Sequence, residues 1–326
     1  MTSVAVIGAG LASLSLAKKL EGQVDITIFE KSQGVGGRMS TRNSPPYQFD
    51  HGAQYFTARS KTFQEFLDPL IDSGLVVEWN PKIVTLEFGK TPNKLDWFEP
   101  HYIAVPKMNS LCKYMAEGKK INLNTKIKKL FKTLKGWELT DANHNIHSYY
   151  DWVVSTLPAK QLISFFPQTF NDFTTIESTK MVGCFSLMIG LKKLPKLDWQ
   201  AAIIKNSAIG WISVNSAKPG RNNKPSLLVQ TTNEWAESQM GEDINYIQAT
   251  LLKELTKFIE LDINEFSFIK THIWHYANTA LSAGKDYLID PKQKLAACGD
   301  WCISGKVESA FLSAHSLANK IMSLKK

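Results

Sequence analysis

The chain predicts an α/β fold in which a Rossmann-type nucleotide-binding domain is joined to a second domain of mixed sheet and helix. Three observations carry this. A short apolar run, Val4 to Ile7, leads directly into Gly8-Ala9-Gly10-Leu11-Ala12-Ser13. A second run, Val24 to Phe29, ends on an acid, Glu30. A second glycine turn, Gly36-Gly37-Arg38-Met39, follows at once. With 326 residues the chain is long enough for about two domains.

Val4 to Ile7 has the uninterrupted apolarity of a buried parallel strand. Gly8 permits the tight turn out of it, and Gly10 lets the backbone approach a pyrophosphate. Residues 11–20 read as a helix, so the amides of Leu11 and Ala12 and the positive end of its dipole would face the phosphates. The third glycine of the usual fingerprint is Ser13, which costs a little space without forbidding the packing. Glu30 stands 22 residues after Gly8, where a carboxylate accepts hydrogen bonds from a ribose 2′-hydroxyl and repels a 2′-phosphate.

A Rossmann unit for NAD has no need of the second turn. Its presence just beyond the ribose acid points to FAD held by its pyrophosphate. Arg38 offers a fixed positive fork to the pyrophosphate or to the charge of a reduced flavin.

Further along, residues 62–74 carry Phe63, Phe66, Leu67, Leu70 and Ile71 at a helical period, closed by Ser73-Gly74. Strand-like runs follow at 76–79 and 83–88. Pro106 to Asn109 precede a helix through Met115. Ile121 to Leu123 and a charged strand pair around 127–134 and 137–140 lead to Trp152-Val153-Val154-Ser155-Thr156-Leu157-Pro158-Ala159, a strand and turn. Residues 180–215 and 225–232 alternate as strands, 243–260 form an amphipathic helix, 266–276 a strand, and 307–322 a closing helix.

Asp300 follows the apolar Leu295-Ala296-Ala297 and precedes the helix that opens at Val307. Amides at that helix start could face the flavin pyrimidine O2. A helix cap is the other reading of Asp300. Cofactor motifs at both ends of the chain make the cofactor domain discontinuous: residues 1–58, 106–160 and 285–326, with a substrate domain of 59–105 and 161–284. The substrate would enter the crevice between them.

The chemistry is legible mainly by exclusion. There is no G-x-S-x-G elbow. His272 and His275 lie on a presumed strand, where i and i+3 point to opposite faces, which argues against a metal site. Trp274 and Tyr276 share the other face and could wall a planar substrate, with aromatic core as the alternative. The four cysteines, Cys112, Cys184, Cys298 and Cys302, have no C-x-x-C spacing and read as reduced and buried. The net charge of +8 is scattered lysine, including the tail Lys325-Lys326, with no stripe for nucleic acid. Lys218 and Arg221, on a Pro-Gly turn, read first as solvated, with contact to a substrate phosphate as the alternative. No run of 18 apolar residues suggests a membrane span. The first strand begins too early to leave room for a signal peptide, so a cytoplasmic protein is expected.

Residues 30–42, Glu-Lys-Ser-Gln-Gly-Val-Gly-Gly-Arg-Met-Ser-Thr-Arg, resemble the flavin-containing amine oxidase superfamily. Residues 49–59, Phe-Asp-His-Gly-Ala-Gln-Tyr-Phe-Thr-Ala-Arg, narrow the resemblance to the renalase-like flavoproteins, including the bacterial group. Residues 216–221 and 298–310 are similar to the same group. The resemblance implies an amine oxidase/p-hydroxybenzoate hydroxylase-like fold with non-covalent FAD. It implies Gly8, Gly10, Leu11, Ala12, Glu30, Lys31, Gly37, Arg38, Met39, Ala53, Gln54, Tyr55, Ile127, Asp300 and Val307 as cofactor contacts. It places Gln54 and Tyr55 near the flavin ring; with Trp274, His275 and Tyr276 from the strand reading, these are the catalytic candidates. The implied reaction is oxidation of the 2- or 6-dihydro isomers of NAD(P)H, by hydride transfer to flavin N5 and reoxidation by O2, giving NAD(P)+ and H2O2. Such a transfer needs stacking, distance and exclusion of water but no general base. Amine oxidation, desaturation and non-catalytic FAD binding remain as alternatives.

Overall fold

The computed structural model describes residues 1–324; the tail lysines Lys325 and Lys326 lie outside the described residues. β1 (Ser3–Ile7), α1 (Leu11–Lys19) and β2 (Asp25–Phe29) form the expected strand-turn-helix-strand unit. β1 pairs in parallel with β2 on one side and with Trp152–Ser155 on the other. The sheet is completed by Lys120–Asn122 beyond β2, and by Leu295–Ala297 and Leu288–Asp290 beyond Trp152–Ser155. Six strands from three distant stretches of sequence thus make one sheet.

The apolarity of β1 has its reason in this position. Val4, Ala5 and Val6 are wholly buried because the sheet is covered on both faces, as parallel sheets usually are. On one face α1 packs against the C-terminal helix Val307–Ser323. Leu14, Leu16, Ala314, Leu317 and Ala318 meet there without exposure, each leucine contributing roughly 1.5–3 kcal/mol. On the other face Ala5, Ile7 and Phe29 pack with Leu139, Phe166, Ile176 and Trp301.

The second sheet has seven strands, in the order Phe266–Leu281, Lys180–Leu191, Ser226–Thr231, Ile209–Val214, Ala201–Lys205, Ile83–Glu87, Asn93–Leu95. One face carries Phe185, Leu187, Ile212, Leu227 and Val229 against the helix Ile244–Leu255, whose Ile247, Leu251 and Leu255 are fully buried. The other face receives the segment 47–55: Tyr47 and Phe49 pack there on Met188, Leu228 and Phe268.

The long strand Phe266–Leu281 links the two sheets. It runs past the expected end near residue 276, and its pairing slips between Trp274 and Asn278. Its far end meets the turn before the C-terminal helix: a Cβ on Gly305 would lie 2.8 Å from Thr279 Cβ. The four cysteines are free and buried. Among the described residues no helix is long and apolar enough to cross a membrane.

Candidate dinucleotide and substrate site

The two glycine turns touch. Gly37 has φ +52°, and a Cβ on it would come within 3.3 Å of Gly10 Cα. An L-side chain would be strained there and would crowd the start of α1. α1 begins at Leu11, next to Gly10, which places no side chain over the helix start and makes no side-chain cap. Bare amides at a helix start beside two glycine turns suit a pyrophosphate. The turns lie at the carboxyl ends of the parallel strands, where ligands of open α/β sheets bind. Thr156, just past Trp152–Ser155, closes the same end by donating its amide and hydroxyl to the Ile7 carbonyl at 2.9 and 3.0 Å.

Glu30 ends β2 with its carboxylate already placed. Ala9 N donates to one oxygen and Ser32 N to the other, both at 2.8 Å. A carboxylate has about four acceptor positions, so each oxygen keeps room for a ribose hydroxyl. Ile127 lies next to this end, buried with Phe29, while Thr125 N donates to the Glu30 carbonyl at 2.8 Å. Lys31 is exposed and Met39 is buried in the core. These residues fit the adenosine and pyrophosphate end of a dinucleotide.

Arg38 and Asp300 are paired with each other. The guanidinium forms a two-bond ion pair with the Asp300 carboxylate and also donates to the Ala277 carbonyl at 3.2 Å. Asp300 opens the short helix Asp300–Ile303, and its carbonyl accepts from Ser304 N and Gly305 N. Ala53 N donates to the Arg38 carbonyl at 2.8 Å. Val307 starts the C-terminal helix half-buried, and the next residue, Glu308, accepts the amides of Arg59 and Ser60.

Gln54 is buried and engaged on every side. Its amide donates to the carbonyls of Asp50 and Gly52, and its Oε1 accepts from Ser213 and Lys218 at 3.0 and 3.1 Å. Lys218 and Arg221 depart from the solvated reading. Both are buried, because Asp50 lies between them: Arg221 Nε donates to its carboxylate at 3.0 Å, and Lys218 Nζ stands 3.7 Å away. Burial pushes the Asp50 carboxyl up, but Lys218 and Arg221 outweigh it and leave it below its usual value. Burial pulls Lys218 down to about 8.

Tyr55 is half-buried in an aromatic group. Its ring lies 4.5 to 6.3 Å from those of His101, Trp97, Trp211 and Trp79. A shallow hollow of about 410 Å³ opens beside this group, lined by Glu78, Ile83, Trp97 and Glu99 among others. Trp79, Trp97, His101 and Trp211 were not marked by the sequence motifs. Trp79, Trp97 and His101 lie in loops and Trp211 on the strand Ile209–Val214, so they meet only in the folded chain.

Trp274 donates to the His51 carbonyl at 2.8 Å and packs on the rings of His51 and His272. Tyr276 does not share its surroundings. The slip in pairing after Trp274 breaks the alternation, and Tyr276 packs instead among the residues under the first sheet. His275 is exposed, with only Tyr276 as a ring neighbour. The structure therefore brings Gln54, Tyr55 and Trp274 to the segment on the inner face of the second sheet, and leaves His275 and Tyr276 apart.

Known proteins agree with this architecture. A family model described as an NAD(P)-binding Rossmann-like domain matches residues 6–70. Renalase from Mus musculus is 22% identical over 281 residues, covering 78% of this chain and 79% of its own. A solved structure described as a protoporphyrinogen oxidase from Exiguobacterium sp. 255-15 superposes with a TM-score of 0.79 at 12% identity, covering 100% of this chain and 99% of that one. Putrescine oxidase bound to putrescine gives 0.72 at 11% identity, covering 99% of each. The chain shares the fold of these oxidases from end to end. The Rossmann-type domain with a second, mixed-sheet domain, as expected from the motifs, is the fold found.

Proposed function

We propose that this protein binds FAD non-covalently and oxidises dihydronicotinamide dinucleotides reduced at the 2 or 6 position. The overall change is dihydro-NAD(P) plus O2 and a proton giving NAD(P)+ and H2O2. When bound, FAD supplies the hydride acceptor and the means of passing two electrons to O2.

The observation that carries this reading is the character of the inner sheet face. It presents flat rings, Tyr55, Trp211 and Trp274, while its acid is paired and its histidines are kept neutral. Asp50 is held by Arg221 and Lys218. Burial lowers His51 to about 3 and His272 to about 4. Such a face can orient a planar donor and exclude water, but offers no poised base. Glu30 and the paired glycine turns hold the adenosine and pyrophosphate. The Arg38–Asp300 pair fixes the first motif against the last. The similarity to renalase supports the same assignment; amine oxidation, as the name of putrescine oxidase suggests, is the second reading.

The test mixes the purified, FAD-loaded protein with chemically reduced NAD+, which contains several isomers. Oxygen uptake confined to the minor isomers is the expected result. Turnover of amines, or of ordinary NADH alone, would overturn the proposal.

A further inference from the structure

Where the segment 42–51 meets the long strand Phe266–Leu281, the inner sheet face holds a cluster whose polar atoms the proposed hydride transfer leaves without a role. His51 is 5% exposed, and its Nδ1 is buried without a hydrogen-bond partner of normal geometry. Arg42 Nε is buried without a partner as well, and among the described residues the Arg42 side chain makes no ion pair. A buried guanidinium N–H without an acceptor is costly and seldom left so in a native protein. The ring of His272 lies 4.9 Å from that of His51, and Trp274 closes the group at 4.5 and 5.0 Å from the two.

The charges around this cluster are mainly positive, with Asp50 the acid that faces it. Arg42 and Lys270 both act on His272, and Arg42 on His51. Burial is the main cause that holds both imidazoles neutral, with His272 and Arg42 adding to it at His51, and the Phe49 carbonyl and Asp50 pulling weakly the other way. Asp50 is already taken by Arg221, Lys218 and Thr41. A buried guanidinium N–H and a buried imidazole nitrogen, both without partners, suit an anion.

The position of the cluster selects the anion. Trp274 is three residues along the strand from Ala277, whose carbonyl receives Arg38. The cluster thus lies along the same strand as the backbone that meets the second glycine turn, on the face the proposed function assigns to the donor ring. We infer that Arg42, His51 and His272 form a subsite for the phosphate next to the nicotinamide ribose of the substrate. The protein then recognises dihydronicotinamide mononucleotides and dinucleotides, and not the riboside. The inference rests on the function proposed above. It adds that the substrate is held by its phosphate as well as by its ring.

The experiment compares FAD-loaded wild type, R42M and R42K on three donors reduced at the same ring position: the dinucleotide, the mononucleotide and the phosphate-free riboside. R42M is expected to raise KM for both phosphorylated donors at least tenfold relative to KM for the riboside, with R42K in between. An unchanged ratio in R42M would overturn the subsite. If R42M does not fold, H272L takes its place, with a threefold rise in the same ratio expected and no rise counting against it. A second readout separates the two proposals. Inorganic pyrophosphate is titrated into the same FAD-loaded proteins and followed by tryptophan fluorescence. If wild type turns over none of the donors, the proposed reaction fails, while saturable quenching that R42M abolishes would still establish the anion site. No quenching in wild type would refute it.

Discussion

Arg38 and Asp300, 262 residues apart, hold each other through two hydrogen bonds, one of them 2.7 Å long. The guanidinium side is 31% exposed and the carboxylate side 6%. This pair ties the second glycine turn to the start of the C-terminal segment. Breaking it should cost about 2 kcal/mol, between the value of an exposed pair and that of a buried one. Asp300→Asn is expected to lower the urea midpoint accordingly and, under the proposed function, to weaken FAD retention on dialysis, read as the ratio of flavin to protein absorbance. Arg38→Lys should do nearly as much, because lysine cannot reproduce the two-pronged contact.

Gly52 allows the tightest backbone approach near the site. A Cβ there would lie 1.9 Å from the Arg38 carbonyl oxygen. No rotamer relieves a clash with backbone, so the segment 50–55 or the second glycine turn must move. Gly52→Ala is expected to cost about 3 kcal/mol or more and to give little soluble, yellow protein. Soluble yield and visible absorbance decide it; normal values in both would contradict this account.

Lys218 makes stability depend on pH in a definite window. Its folded value of about 8 lies below the ordinary 10.5 because burial penalises the charge. Between those values the unfolded chain binds the extra proton, so wild type gains stability as pH rises from 8 to 10.5 and pays the full penalty below 8. Lys218→Met removes this dependence. The gap in unfolding free energy between wild type and the variant should shift in favour of wild type by on the order of 3 kcal/mol across that range. A constant gap would show that the ammonium is not desolvated as described.

Asp50→Asn should be the most damaging of the conservative changes. It strips the counter-charge from two buried cations at once, a loss of roughly 3–5 kcal/mol. The double variant Asp50→Asn with Lys218→Met should recover part of it, and a denaturant series on the four proteins measures the coupling.

Trp211→Leu and Tyr55→Leu remove planes from the aromatic group while keeping its apolar character. Under the proposed reaction each should raise KM for the dihydronicotinamide donor by about tenfold, in keeping with the worth of an aromatic contact. Steady-state oxygen uptake provides the measurement.

The first forty residues were legible because local rules govern them. An apolar strand, two glycines at its end, a helix and a second strand closing on an acid are read without knowing the rest of the chain. That the two ends of the chain meet was legible too, since residues 298–310 carry a motif of their own, and strands 288–290 and 295–297 do join the sheet of β1. Lys218 and Arg221 were not, because their partner Asp50 stands 168 and 171 residues away, and a Pro-Gly turn looks solvated when read alone. Tyr276 was misplaced for a different reason. Strict alternation put it beside Trp274, and the slip in pairing that separates them is set by the neighbouring strand. The aromatic group around Tyr55 needed Trp79, Trp97 and Trp211 to converge, which periodicity does not reveal.

The four sealed cysteines have a chemical consequence. Burial raises Cys112 and Cys302 to about 12, Cys184 to about 11, and Cys298 well above its usual value. Sulfur is attacked by peroxide as the thiolate, and at neutral pH a group at about 12 offers that form in only about one molecule in a hundred thousand. Under the proposed reaction the protein releases an oxidant at every turnover and is the molecule most exposed to it. Here the vulnerable atoms are kept protonated and out of reach, so self-inactivation would have to begin elsewhere.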